Sequence, residues 1–180
     1  MPYYIYKITP GDTPTARKLD LVRDHDSFRD AKQEVRSLRA GQSPDAKDSY
    51  KIIFAGSIGR FPVGGHAWVD LQYLHGLQDL GHQVTYLEEC GAGSWVYQWE
   101  TEQLTTELDY PTSYVRACLQ GTGLEQRWIY RAGDTSVGMP LEAFLAACAD
   151  ADLLIVRGSP IELWREEYTW PRRRAYIDSD

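Results

Sequence analysis

The sequence predicts an α/β protein in which a small N-terminal β-α appendage precedes a doubly wound, mostly parallel sheet. From residue 50 onward, strand-like apolar runs alternate with segments of helical periodicity, which is typical of parallel strands joined by helices. The run at residues 153–156, Leu-Leu-Ile-Val, is apolar throughout and bounded by polar residues, as expected of a strand buried on both faces. A glycine-rich loop separates the first strand of this region from its helix.

Composition and length narrow the class of protein. The 180 residues are 43% hydrophobic and 25% charged, a globular composition. The longest apolar runs are far shorter than the ~20 residues that cross a bilayer, so we expect no membrane span or signal peptide. The three cysteines form no Cys-x-x-Cys pair. Their spacing disfavours a zinc site or a disulfide framework and favours a reducing, cytoplasmic location.

The net charge of −7 is concentrated in one part of the chain. Residues 1–50 carry 9 basic and 8 acidic side chains, whereas residues 51–180 carry 10 and 18. An acidic region disfavours binding to nucleic acid or anionic membranes, because both require a basic face. Any phosphate-binding site is therefore expected to be local.

Residues 1–50 are predicted to form a unit of their own. An aromatic, β-branched run at residues 3–8 indicates one strand, and a helix follows that Ser27 caps and Gly41 ends. The apolar stripe of this helix comprises Phe28, Ala31, Val35 and Leu38. We place the linker at residues 42–49. One strand and one helix bury little surface, so we expect this unit to lean on the rest of the chain or on a partner.

The main region begins with a strand at residues 50–55, a helix from about His66 to Leu80 and a strand at 84–87. The segment 94–120 is interpreted as a helix interrupted at Tyr110-Pro111. Further elements are a strand at 127–131, a helix that Pro140 opens, and strands at 153–156 and 174–177. Ligands bind beyond the carboxyl ends of the strands in such sheets, so the loops that follow the strands are the candidate functional loops.

The strongest candidate is the loop at residues 56–66, Gly-Ser-Ile-Gly-Arg-Phe-Pro-Val-Gly-Gly-His. Glycines allow a ligand close to the backbone, and the following helix N-terminus offers N–H groups to a phosphate or carboxylate. The alternative is that the glycines only form the turn. No Gly-Lys-Ser/Thr ends the loop, so it is not a Walker loop. The candidate ligand-binding residues here are Gly56, Gly59, Arg60, Gly64 and Gly65.

Two further strand ends contribute candidates. Arg157 and Gly158 follow the strand at 153–156, and Asp178 and Asp180 follow the last strand. Arg157 could hold a phosphate or carboxylate, and either aspartate could bind ligand hydroxyls or act as a base. Alternatively, the arginine satisfies loop carbonyls and the acids only end a strand.

Histidine and tryptophan give weaker signals. His66 could act as a general base, because imidazole titrates near neutral pH, or it could cap its helix. No spacing typical of a metal site is present. The tryptophans could stack on the rings of a ligand, but large aromatic residues more often pack in cores, so none is assigned to a site.

A nicotinamide-dependent oxidoreductase is a weaker alternative. The Gly-x-Gly-x-x-Gly fingerprint is absent and Pro62 occupies the loop, although Glu88 lies about 23 residues beyond Gly65, where a ribose-binding acid would sit. Glu88 and Glu89 are otherwise interpreted as a solvated strand end.

Residues 51–68, KIIFAGSIGRFPVGGHAW, together with 80–88, LGHQVTYLE, resemble the start of the N-terminal Rossmann-like domain of GT-B type glycosyltransferases. Those enzymes begin with a strand, a glycine-rich loop containing Gly-Gly, a long helix, and Gly-His-x-Val leading into the next strand. The resemblance covers residues 51 to about 90 by motif and extends to 180 by strand order.

The resemblance implies sugar transfer from a nucleotide-diphosphate sugar to an acceptor hydroxyl, with no cofactor and no metal. Gly64, Gly65 and the loop around Arg60 would face the acceptor and the donor diphosphate. Arg157 and the loop would stabilise the leaving diphosphate, and His66 or Asp178 would deprotonate the acceptor.

In this family a second Rossmann-like half holds most of the nucleotide sugar. Because the chain ends at Asp180, we expect a C-terminal domain or partner chain to supply that half. Residues 1–50 are not a usual part of the family and resemble a small bacterial β-α module. The alternative is therefore a non-catalytic fusion or interaction module.

Overall fold

A computed structural model describes residues 3–10, 17–40, 49–158 and 161–178. The chain divides into two compact units, Met1–Ser49 and Tyr50–Asp180, and each is described by itself. Gly41 and residues 42–48 of the expected linker lie outside the described residues, as does Asp180.

The N-terminal unit is a β-hairpin followed by a helix. Strand β1 (Tyr3–Pro10) pairs antiparallel with β2 (Arg17–His25), and helix α1 covers Phe28–Ala40. The sequence predicted β1 and the helix but missed β2. That strand is rich in charge, and its Leu21 and Val22 are exposed rather than buried. It therefore lacks the apolar pattern by which a buried strand is recognised.

The second unit is an α/β fold with a mostly parallel six-stranded sheet in its described part, in the order β10-β9-β3-β4-β7-β8. All neighbouring strands run parallel except β8, which is antiparallel to β7. This confirms the α/β prediction. In chain order the elements are β3 (Lys51–Ala55), α2 (Gly64–Asp79), β4 (Gln83–Cys90), β5 (Val96–Gln98), β6 (Gln103–Thr105), α3 (Asp109–Leu119), β7 (Trp128–Ala132), β8 (Thr135–Gly138), α4 (Leu141–Asp150), β9 (Leu153–Arg157), a 3₁₀ helix (Glu166–Thr169) and β10 (Arg173–Ile177).

Apolar residues cover both faces of this sheet, because alternate residues of each strand point to opposite sides. On one face Phe54 and Tyr86 pack with residues of α2 and α3. On the other face Ile53 and Leu87 pack with Phe144 of α4 and with the 3₁₀ helix. The two cores are built from neighbouring residues of the same strands.

The direction of sheet growth reverses at β3. The chain proceeds from β3 through α2, β4 and α3 to β7 on one side, and then crosses to add β9 and β10 on the other. The loops that follow β3 and β9 therefore leave the same edge of the sheet toward opposite faces. A crevice at such a reversal is where open α/β sheets bind ligands.

The segment 94–120 differs from its prediction. In place of an interrupted helix it forms a small antiparallel hairpin, β5 with β6, and then α3. Pro111 does not interrupt α3, because it lies in the first turn, where backbone N–H groups have no partner within the helix. The antiparallel strand β8 was also not predicted.

Two glycines test the packing of this unit in opposite directions. Gly138 has a φ of 112°, and a Cβ there would lie 2.4 Å from the backbone oxygen of Trp128. Gly138→Ala is therefore expected to lower the free energy of unfolding by about 1–3 kcal/mol. Gly76→Ala, in the interior of α2 with open space at the new Cβ, should raise it by about 1 kcal/mol. Urea denaturation measures both, and equal shifts for the two variants would contradict this packing.

Candidate functional site

Asp70 is a fully buried carboxylate on α2 that lies between the loop after β3 and the end of β9. Its Oδ2 accepts a hydrogen bond of 2.9 Å from the backbone N–H of Ser57, and its Oδ1 forms an ion pair with Nε of Arg157. Gly56 makes room for it, because a Cβ at that position would lie 2.6 Å from Oδ2. The carboxylate thus ties α2, the glycine-rich loop and β9 together.

A second buried carboxylate, Glu88 of β4, holds the next part of the loop. It accepts hydrogen bonds from the backbone N–H groups of Gly59, at 2.7 Å, and Arg60, at 3.0 Å. The hydroxyl of Tyr86 donates to the same carboxylate at 2.5 Å and accepts from the backbone N–H of Ile58 at 2.9 Å. Together with the bond from Ser57, four consecutive loop amides are bound by the protein's own side chains.

Burial dominates the electrostatics of this cluster. It raises the pKa of Glu88 to about 7, although the hydrogen bonds from Tyr86, Gly59 and Arg60 act in the opposite direction. Burial, with the nearby Glu88 charge, also raises the pKa of Tyr86 well above its ordinary value. The carboxyl group that holds the loop therefore changes its charge near neutral pH.

Glu162, in the connection after β9, links three of the loops at this edge. It forms an ion pair with Arg60 of the glycine-rich loop. It also accepts hydrogen bonds of 2.6 Å from the backbone N–H of Gly91 and from the hydroxyl of Ser94, both of which follow β4. The guanidinium predicted to meet a ligand is thus paired with a carboxylate of the protein.

Glu89 lies on the opposite face of the sheet from Glu88. It accepts hydrogen bonds of 2.8 and 3.1 Å from Arg165 and one from the hydroxyl of Tyr168, and Arg131 lies 3.7 Å away. Glu88 is 1% exposed and Glu89 4%. The interpretation of this pair as a solvated strand end is wrong, because loop amides hold Glu88 and arginines from distant segments hold Glu89.

The predicted glycines fall into two groups. Gly56 and Gly59 serve packing, because a Cβ at Gly59 would lie 2.8 Å from Cγ2 of Val115. Gly64 and Gly65 are instead the first residues of α2, and no described atom lies within 4 Å of a Cβ placed on either. Backbone N–H groups of a first helical turn have no partner inside the helix. The open part of the glycine-rich loop is therefore its end.

The other predicted residues are placed as follows. His66 is half-buried, its ring centroid lies 5.1 Å from that of Phe61, and α2 has no side-chain cap within the described residues. The backbone N–H of Gly158 donates to Ile177 at 2.9 Å, which joins the ends of β9 and β10. Asp178 is exposed directly after β10.

The structure brings Ser57, Asp70 and Arg157 together at the reversal of the sheet. The Ser57 hydroxyl and Nη2 of Arg157 are buried there without a hydrogen-bond partner in the described part of the chain. Sequence reasoning missed Asp70, although a signal was present. It is the one charged residue on the stripe of α2 that also carries Ala67 and Leu74, which face the core.

The described ranges contain no group of three histidine, cysteine, aspartate or glutamate residues that could hold a metal ion. No helix in these ranges has the length and apolar character needed to span a membrane.

Comparison with known proteins gave no match, whether to a protein-family model, to a curated protein or to a solved structure.

The buried ion pair can be tested against a surface pair of the same unit. Asp70→Asn leaves the guanidinium of Arg157 buried opposite a neutral amide, so we expect the free energy of unfolding to fall by about 3–5 kcal/mol. The control is Asp150→Asn, which removes the partner of Lys51 in an exposed pair and should cost at most about 1 kcal/mol. Guanidinium denaturation measures both. A loss at Asp70 no larger than that at Asp150 would show that the buried pair does not hold these segments.

The pKa of Glu88 predicts how stability depends on pH. The folded protein holds this proton up to a pH of about 7, whereas the ordinary pKa is 4.5. Its contribution is therefore fully present below the ordinary pKa and is lost as the pH rises through the folded value.

Glu88→Gln removes this titration and should flatten the fall in the free energy of unfolding between pH 5 and pH 8. Glu107→Gln, in an exposed loop, is the control and should retain the wild-type slope. Urea denaturation at a series of pH values gives the result. An unchanged slope in the Glu88 variant would rule out this carboxyl group as the source.

Proposed function

We propose that residues 51–180 form a doubly wound, Rossmann-like domain that acts as the acceptor-side half of a GT-B type glycosyltransferase. Such an enzyme transfers a sugar from a nucleotide-diphosphate donor to an acceptor hydroxyl. The strand order supports the proposal, since three successive parallel strands lie on one side of the reversal and two on the other, as in nucleotide-binding sheets. The sequence motif around Gly64 and Gly65 supports it independently.

The observation that carries the proposal is the open start of α2 beside the reversal of the sheet. The amides of residues 57–60 are already bound by Asp70, Tyr86 and Glu88. A diphosphate would therefore bind at Gly64 and Gly65, where the helix N-terminus offers free N–H groups and a partial positive charge.

The remaining candidates take different roles in this proposal. Arg157 is paired with Asp70 through Nε, so in this proposal it positions the loop. His66 lies in the first turn of α2 and can accept the proton of the acceptor hydroxyl. A second nucleotide-binding domain would supply the rest of the donor site.

An oxidoreductase has less support from this geometry. The acid that would bind the ribose, Glu88, directs its carboxylate into the loop, where Gly59, Arg60 and Tyr86 donate to it. It is buried and already has three donors, so a dinucleotide would have to displace them.

Titration calorimetry with uridine, guanosine and adenosine diphosphates and their sugar conjugates tests the proposal. Wild type and Gly65→Ala should bind at least one of them, because the Ala side chain enters open space. Gly65→Asp should bind at least tenfold more weakly, which corresponds to about 1.4 kcal/mol. An acid in the first turn favours the helix but repels the diphosphate. Equal binding by the Asp variant, or binding of a nicotinamide dinucleotide alone, would overturn the proposal.

A further inference from the structure

The β5–β6 hairpin carries an exposed aromatic surface that the proposed reaction has not used. Trp95, Tyr97 and Trp99 alternate along the chain with Val96, which is 3% exposed, and Gln98. Trp95 is 63% exposed and Trp99 61%, and Tyr97 is also exposed. We call these three residues, with the exposed Leu104 opposite Tyr97 on β6, the aromatic hairpin surface.

These tryptophans are not core residues, contrary to the usual expectation for large aromatic side chains. Trp128, by comparison, is 3% exposed at the start of β7. Single exposed apolar residues need no explanation, but contiguous exposed aromatic surface usually marks a binding site. Three aromatic residues within five positions of one hairpin form such a surface.

Side-chain contacts hold the hairpin at its start and at its turn. At its start, Gly91 and Ser94 bind Glu162, which is also paired with Arg60 of the glycine-rich loop. At the turn between β5 and β6, Glu100 accepts a hydrogen bond of 2.7 Å from the hydroxyl of Tyr110. Rigid aromatic side chains on a fixed backbone bind with little loss of conformational entropy. The surface is thus preorganised and linked to the candidate site.

Charge restricts what this surface can bind. Residues 91–115 contain no lysine, arginine or histidine, and their acidic residues are Glu100, Glu102, Glu107 and Asp109. Anionic lipids and phosphate-bearing polymers are therefore repelled. A second copy of the chain would oppose the same carboxylates, so the charge also disfavours self-association through this face. An uncharged partner with apolar faces and many hydroxyl groups avoids both penalties.

The geometry points to a saccharide chain without anionic groups as the ligand of the aromatic hairpin surface. The ring of a sugar presents C–H groups that stack on aromatic faces, while its hydroxyls can donate to the surrounding carboxylates and to Gln98 or Gln103. A strand rises about 3.3 Å per residue, so β5 with the flanking Trp95 and Trp99 is long enough for more than one sugar ring. This inference rests on the proposed function, in which the bound chain is the sugar acceptor.

The test is titration of the full 180-residue protein with cellohexaose, chitohexaose and, as an anionic probe, hexagalacturonate, followed by tryptophan fluorescence and calorimetry. We expect saturable binding of an uncharged hexasaccharide. Trp95→Ala and Trp99→Ala should each weaken it at least tenfold. Trp68→Ala is the matched control, because Trp68 is 62% exposed but lies on α2. This variant should bind the hexasaccharide as tightly as the wild-type protein does.

Four outcomes overturn the inference. These are no binding of either uncharged probe, equal affinity in the hairpin variants, tighter binding of hexagalacturonate, and light-scattering evidence of a dimer that Trp95→Ala dissociates. Nucleotide-diphosphate titration of the same preparations separates this result from the proposed function. If the wild-type protein binds a nucleotide diphosphate but no saccharide, only the acceptor surface is rejected. If it binds a saccharide but no nucleotide diphosphate, the donor-site proposal is rejected and the protein is a saccharide-binding protein.

Discussion

The candidate site depends on the interactions of one buried carboxylate, that of Asp70. It is removed from water, and this is tolerable only because Arg157 and the backbone N–H of Ser57 satisfy its oxygens. The three groups come from α2, from the end of β9 and from the loop after β3. β3 and β9 pair directly, and the loops that follow them diverge toward opposite faces of the sheet; this ion pair joins the two chain segments where they diverge. The backbone N–H of Ser57 and Nε of Arg157 are therefore already bound by Asp70 and are not available to a ligand.

A second buried carboxylate holds the next part of the glycine-rich loop in the same way. A backbone that is rich in glycine and follows a parallel strand is usually read as open to an anion, but here Glu88 takes the place that an external anion would occupy. The protein supplies its own carboxylate to the first amides and leaves the last two glycines open. A loop of this kind can therefore be rigid at one end and open to a ligand at the other. Some of its glycines serve packing, and others leave space for a ligand.

The sequence predicted the buried elements well because burial leaves a pattern. β9 is a continuous apolar run, α4 has apolar residues at helical spacing, and both were located within a residue or two. The strands β2, β5, β6 and β8 were missed because they are short or face solvent, so no such pattern marks them. Glu88 and Glu89 were read as solvated because their partners, such as Arg165, lie far away in the chain. Which carboxylates are buried is decided by tertiary contacts that no local window contains.

One of the two edge strands of the described sheet, β10, has a consequence for how the protein behaves at high concentration. β10 pairs with β9 on one side, and its Arg173, Arg174 and Tyr176 are exposed. An open strand edge is a template on which another chain can add a strand, which is the first step of aggregation. Adjacent arginines on both faces of β10 place like charges against any identical strand that approaches. The guanidinium groups therefore disfavour the addition of an identical strand at this edge.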